Sequence, residues 1–221
     1  MTGHRLDVSD GDVVEVDGVA VTSVSRTWLD LATVLPLEDL IVAGDQTVSE
    51  HIRSFGPPKT AMVPRHELSE FVATHGRSWG IQKARQALDR LRVGVDSPPE
   101  TLVRLTLEDA GLPEFAVNYP LRDRHGSIVA WTDLGCETFQ TCLEYDGEHH
   151  LTPEQQALDM ARDAKVAEVG WAQVKLNRLD LQEGGWRIVA KVRKTLLRQG
   201  WRQGIPELLR SSGGLPRREP A

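Results

Sequence analysis

The stretch SIVAWTDLGCETFQTCLEYD, residues 127–146, decides how this chain folds. Two runs in it, Ser127 to Leu134 and Phe139 to Asp146, with a short loop near Gly135 between them, read as strands. A further strand, Phe115 to Leu121, precedes them across Asp123-Arg124-His125-Gly126. Connections this short imply an antiparallel meander. Strand side chains alternate between faces, so Glu144 and Asp146 share one side of their strand, while Asp133 ends the neighbouring one. Three carboxylates then converge. Such a cluster is costly at neutral pH unless its pKa values rise or a cation joins it. Hard oxygen ligands favour Mg²⁺ or Mn²⁺, which can polarise a phosphate and activate a bound water for phosphodiester hydrolysis. The same spacing also fits a solvated strand face on which Asp146-Gly147 is merely a turn.

Outward from this core, Ser97 and Glu100 with Pro98 between them form a capping box that starts a helix running to Gly111. Thr152-Pro153-Glu154 opens a helix to about Val169, Trp171 to Leu176 reads as a fourth strand, and Trp186 to Gln199 as a closing amphipathic helix. The order of this half is α-β-β-β-α-β-α. Upstream, Gly94-Val95-Asp96-Ser97-Pro98-Pro99 interrupts helical periodicity and is the best boundary in the chain. Ahead of it come a hairpin turning at Asp17-Gly18, a helix capped by Ser25 with Trp28, Leu31, Ala32 and Leu35 on one face, an apolar run from Leu37, and helices over His66 to Thr74 and Ile81 to Val93. The fold class is α/β in the α+β sense. A mostly helical unit (1–94) precedes a mixed unit (97–203), and a Gly/Pro/Arg-rich tail (204–221) is expected to be disordered.

The formal net charge of −6 over 221 residues argues against a protein that coats nucleic acid by bulk charge. Basic residues are unevenly placed, however, and gather from Lys165 onward as Lys175, Arg178, Arg187, Lys191, Arg193, Lys194, Arg198 and Arg202. No stretch approaches the roughly 20 apolar residues of a membrane helix. The start, MTGHRLDVSDGDVVEV, does not read as a secretion signal, so a cytoplasmic location is expected. Cys136 and Cys142 read as reduced structural thiols, and their spacing argues against zinc. Trp171, Trp186 and Trp201 read as core anchors.

The element order, the run Trp131-Thr132-Asp133-Leu134 and the run Leu143-Glu144-Tyr145-Asp146-Gly147-Glu148-His149-His150 resemble the very-short-patch-repair-like branch of the PD-(D/E)xK nucleases, in particular actinobacterial proteins with a C-terminal domain of this type. The likeness extends through Asp159-Met160-Ala161-Arg162-Asp163 and Val169-Gly170-Trp171 and covers about half the chain. It implies a restriction-endonuclease-like domain with a mixed central sheet and a Mg²⁺- or Mn²⁺-dependent endonuclease acting on DNA in defence or repair. Asp133 would be the first metal ligand, Glu144 and Asp146 would stand at the second acidic position, and His149 or His150 would carry protons. Two residues depart from the pattern. Thr132 replaces the proline before Asp133, and Asp146 replaces the motif lysine, whose loss a second metal or a histidine would have to cover.

Around this centre, Glu100 could reach the metal from the first helix, and Arg162 could hold a phosphate or simply pair with Asp159. Gln155 and Gln156 are candidate substrate contacts. More weakly, Val16 to Ser23 and Ser25 to Ala32 resemble the middle region of the type IV abortive-infection antitoxin group. Members of that group usually carry a winged helix ahead of this region; the expectation for this chain is that the module has been lost or that the true start lies upstream. The alternative to an enzyme is a nuclease fold kept as a regulatory, DNA- or protein-binding module.

Overall fold

Asp17 and Gly18 both take positive φ, at 51° and 79°, which lets strands β1 (Val13–Val16) and β2 (Val19–Thr22) close as a two-residue hairpin. The computed structural model describes residues 8, 9, 11–51, 58–147, 153–182 and 184–202, with backbone alone for 153–156. Helix α1 (Val24–Leu31) follows the hairpin, capped by Ser23, whose Oγ accepts from Arg26 N at 3.3 Å. The expected cap, Ser25, lies buried in the first turn instead, because the chain is already helical there and extended at Ser23. Helices α2 (Leu37–Val48), α3 (Arg65–Thr74) and α4 (Ile81–Arg90) complete this half, packed through Trp28, Leu29, Leu40, Ile41, Leu68 and Leu88.

Helix α5 (Pro98–Asp109) ties the halves together. Leu105 joins the helical core, whereas Val103 and Leu107 join the core beneath the sheet. Asp45 of α2, fully buried, accepts from Arg104 Nη2 at 2.8 Å, Thr101 Oγ1 at 2.9 Å and Arg92 N at 2.8 Å. The chain pauses at residues 94–97, but the packing runs across that pause. Here too the expected capping box is not formed. Ser97 makes no bond to the helix N–H groups; its hydroxyl donates to Glu100 Oε1 at 2.7 Å, while Glu100 Oε2 accepts from Asp96 N at 3.0 Å.

The main sheet has the order β3-β4-β5-β6, with β3 (Ala116–Arg122), β4 (Ile128–Cys136) and β5 (Thr141–Asp146) antiparallel in succession. Helix α6 (Pro153–Glu168) then carries the chain over one face, so that β6 (Ala172–Asn177) enters parallel to β5. A mixed four-stranded sheet results. Short helix α7 (Arg178–Gln182) and long α8 (Trp186–Arg198) cover the other face beside α5. There Leu134, Leu143, Val174 and Leu176 meet Ile188, Val192 and Leu196, while under α6 Val166 meets Leu121, Cys142 and Trp171. Both cysteines are buried thiols, not joined in a disulfide. Trp171 and Trp201 are core residues, but Trp186 is 61% exposed. It stands about 200° of helical turn from Ile188, off the buried Ile188-Val192-Leu196 stripe. Among the described residues no helix is long and apolar enough to cross a membrane. The expected disordered tail, 204–221, lies outside the described residues.

Candidate active site

The β4–β5 ladder pairs Cys136 with Thr141, Gly135 with Cys142 and Leu134 with Leu143. The next rung would set Asp133 opposite Glu144, and there side chains replace the backbone ladder. Thr132 Oγ1 donates to Leu143 O at 2.8 Å, and Asp133 Oδ2 accepts from Tyr145 N at 2.7 Å. On the other flank, Asn118 falls opposite Asp133 in the β3–β4 register but takes φ 47° and donates from Nδ2 to Gly94 O. Asp133, inside β4 rather than at its end, therefore sits where both neighbouring strands leave regular geometry, a common setting for functional side chains. Thr132 is buried and spends its hydroxyl on this opening.

Leu134 and Leu143 point into the α5/α8 core, so alternation turns Asp133 and Glu144 towards the α6 face. Glu144 is largely buried, and burial pushes its carboxyl up. Arg162 and Lys175 pull it down again, while Asp133 and Asp163 push it further up. Arg162 Nη2 of α6 lies 2.6 Å from Glu144 Oε1 and also donates to Trp131 O. The arginine therefore reaches the carboxylate across the sheet, and the charge of Asp159 falls on Lys175. Although close to Arg162, buried Glu144 Oε1 receives no well-aligned hydrogen bond, which leaves it a lone pair to offer.

Glu100 belongs to the same electrostatic group. It is 8% exposed, and its carboxyl is pushed up to about 7, first by burial and then by the charge of Asp133. The acidic chain is thus Glu100, Asp133 and Glu144. Asp146, exposed at the end of β5 beside Asn177, is not among the charges that weigh most on Glu144. No group of three or more His, Cys, Asp or Glu side chains among the described residues is gathered tightly enough to hold a metal ion, so the expected convergence of Asp133, Glu144 and Asp146 is corrected. Strand β5 runs on to Asp146 while the β4–β5 ladder stops at Leu134, and this carries Asp146 out to the sheet's end. His149 and His150, and the side chains of Gln155 and Gln156, lie outside the described residues.

Lys175 was not legible from sequence as a site residue. In the parallel β5–β6 register it is the direct partner of Glu144, and its Nζ donates to Asp163 Oδ2 at 2.6 Å. That bond, followed by the charges of Asp163 and Glu144, raises its pKa, so Lys175 is held as a fixed cation. The hint available in sequence was the alternation of Val174, Lys175 and Leu176, which puts Lys175 on the face opposite the core.

Asp133 and Glu144 offer two hard carboxylates of the kind that Mg²⁺ or Mn²⁺ takes, with Arg162 now ion-paired to the buried oxygen of Glu144. No family model matches the chain, and no solved structure matches it significantly. The curated relatives found are the uncharacterised Mycobacterium tuberculosis proteins MT2308 and Rv2248, each 30% identical over 133 residues, or 60% of this chain and 49% of theirs. The chain spans about half the length of the curated relatives it matches.

Proposed function

We propose that this protein is a metal-dependent endonuclease that hydrolyses phosphodiester bonds in DNA. The observation that supports this reading best is the opened β4–β5 rung, which turns Asp133 and Glu144 to one face with Lys175 in register on the next strand. Asp133 and Glu144 would hold Mg²⁺ or Mn²⁺, which when bound would supply Lewis acidity at the scissile phosphate. Lys175 stands where it can replace the missing motif lysine. A lysine whose proton is held this firmly does not act as a base; it lends fixed positive charge to the phosphate and to the attacking water. Arg162 is suited to clamp a phosphate once substrate draws it from Glu144. The water oxygen bonds to phosphorus as the P–O ester bond breaks; the proton that the water sheds would pass to His149 or His150 or to solvent, and a proton from the histidine or solvent would go to the leaving oxygen.

A second reading is a nuclease fold kept as a regulatory or antitoxin-like binding module. It is favoured by the Arg162–Glu144 contact, which neutralises the second carboxylate without a metal, and by the lack of a three-ligand cluster among the described residues. Supercoiled plasmid with Mg²⁺ or Mn²⁺ separates the two, using wild type, Asp133→Ala and Lys175→Met, with EDTA as control. Nicking that vanishes with EDTA and in Asp133→Ala, and falls at least tenfold in Lys175→Met, is expected. A folded wild type that cuts with neither metal would leave the binding module as the better reading.

A further inference from the structure

Trp186 opens α8 with 61% of its surface exposed, and the Arg187 guanidinium lies 5.7 Å from its ring centroid. Beside it is a cleft of about 320 Å³ lined by Asn177, Leu179, Asp180, Trp186, Arg187 and Lys191. Asp180 in its wall is buried and satisfied, accepting from Asn177 N at 3.0 Å and Lys191 Nζ at 2.7 Å. The cleft is therefore a formed feature whose walls carry Arg187, the Asp180–Lys191 ion pair and the apolar bodies of Leu179 and Trp186. From it, Lys191, Lys194 and Arg198 continue along the exposed side of α8, opposite buried Ile188, Val192 and Leu196. From Arg187 to Arg198 this stripe covers roughly 16 Å of helix. Asn177, at the cleft, is also the register partner of Asp146, so the stripe starts at the end of the sheet to which the candidate site's strand leads.

We infer that the cleft at the start of α8 and the basic side of that helix dock a single-stranded polynucleotide, with a base stacked on Trp186 and phosphates following Lys191, Lys194 and Arg198. The stripe supplies charge complementarity that a chain of net charge −6 lacks in bulk. The exposed indole selects single strands, because it needs a base face that a duplex keeps stacked internally. The inference names a substrate class for the nuclease proposed above and rests on that reading for its use.

The test is fluorescence anisotropy of the full chain with labelled oligonucleotides in EDTA, so that binding is read without cleavage. The probes are a 20-nucleotide DNA strand, the same strand as RNA, and its DNA duplex. Wild type is expected to bind the single strands more tightly than the duplex, with affinity falling as salt rises. Trp186→Ala should weaken single-strand binding on the order of tenfold and leave the duplex unchanged, while Trp186→Phe keeps most of the affinity. Lys194→Glu with Arg198→Glu should weaken all probes at least tenfold and flatten the salt dependence. The DNA and RNA arms show which sugar is preferred. Absence of binding by wild type, or unchanged affinity in folded Trp186→Ala and Lys194→Glu/Arg198→Glu proteins, overturns the inference. A protein that binds as described yet never cuts retains it and loses the nuclease.

Discussion

The guanidinium of Arg162 lies 2.6 Å from the Glu144 carboxylate, so an arginine from the crossover helix sits on the oxygen that a metal would need. The arginine side chain is 40% exposed, which limits the contact to about 1 kcal/mol or less. Arg162→Ala should therefore raise Mn²⁺ affinity at pH 8 by a few-fold in isothermal titration calorimetry, because the competitor is gone. The same variant should cut plasmid more slowly if the arginine clamps phosphate. Unchanged affinity for Mn²⁺ would mean that Glu144 is not a ligand.

Glu100 carries a pH dependence that can be worked out. Its carboxyl titrates near 7 in the folded chain against 4.5 as the ordinary value, because burial and the charge of Asp133 disfavour ionisation. Between these values the folded chain keeps a proton that the unfolded chain has released. Stability therefore falls as pH rises through that window, and the loss is complete above about 7. The full span corresponds to roughly 3 kcal/mol. Glu100→Gln keeps one oxygen to accept from Asp96 N, turns the Ser97 contact round so that the amide N–H donates to the hydroxyl oxygen, and removes the titration. Urea unfolding from pH 4 to 8 should show the variant gaining roughly 2–3 kcal/mol on wild type as pH rises. Parallel stability curves would contradict the assignment.

The sequence made β4, β5 and their carboxylates readable because a short connection forces the antiparallel pairing that sets Asp133 near Glu144. It gave no access to Lys175. That residue reaches Glu144 through a parallel pairing on the far side of α6, and such a register is set by tertiary packing rather than by local spacing. Glu100 was legible twice, as a cap and as a site residue, and the buried carboxyl serves the first role while feeling the charge of the second. Trp186 misled because aromatic bulk suggests burial, whereas the phase of α8 decides it. Likewise the Gly94–Pro99 interruption marks a change of element, and the Asp45–Arg104 pair shows that it does not mark a gap in packing.

That pair supplies a stability test. Asp45 and Arg104 are both essentially inaccessible, so removing the acid leaves the buried guanidinium with the partly exposed Glu108, 2.7 Å from Nη1, and strands the Thr101 hydroxyl and Arg92 N that Asp45 also accepts from. Asp45→Ala should cost about 3–5 kcal/mol in urea unfolding. Tryptophan fluorescence and far-UV circular dichroism of the wild type should unfold together, because α5 contributes to both cores. Separate transitions, with Asp45→Ala moving only one of them, would show that the halves unfold independently.

Gly135 tests the geometry that holds Asp133. A Cβ built there would lie 2.6 Å from both Cβ and Cγ of Tyr119, on the neighbouring strand. That distance is shorter than any real contact. The Tyr119 ring cannot simply swing away, because it packs tilted on Trp171 with centroids 5.4 Å apart. Gly135→Ala must therefore spread β3 from β4 two residues from Asp133, at about 1–3 kcal/mol. Because the clash includes the Tyr119 Cβ itself, Tyr119→Ala should not rescue the variant, whereas Tyr119→Gly should recover part of the loss in a double-mutant cycle. If nicking depends on Asp133, Gly135→Ala should lower it more than its loss of stability explains, measured at a temperature where the variant stays folded. Equal stability of Gly135→Ala and wild type would show that the two strands are not packed this closely.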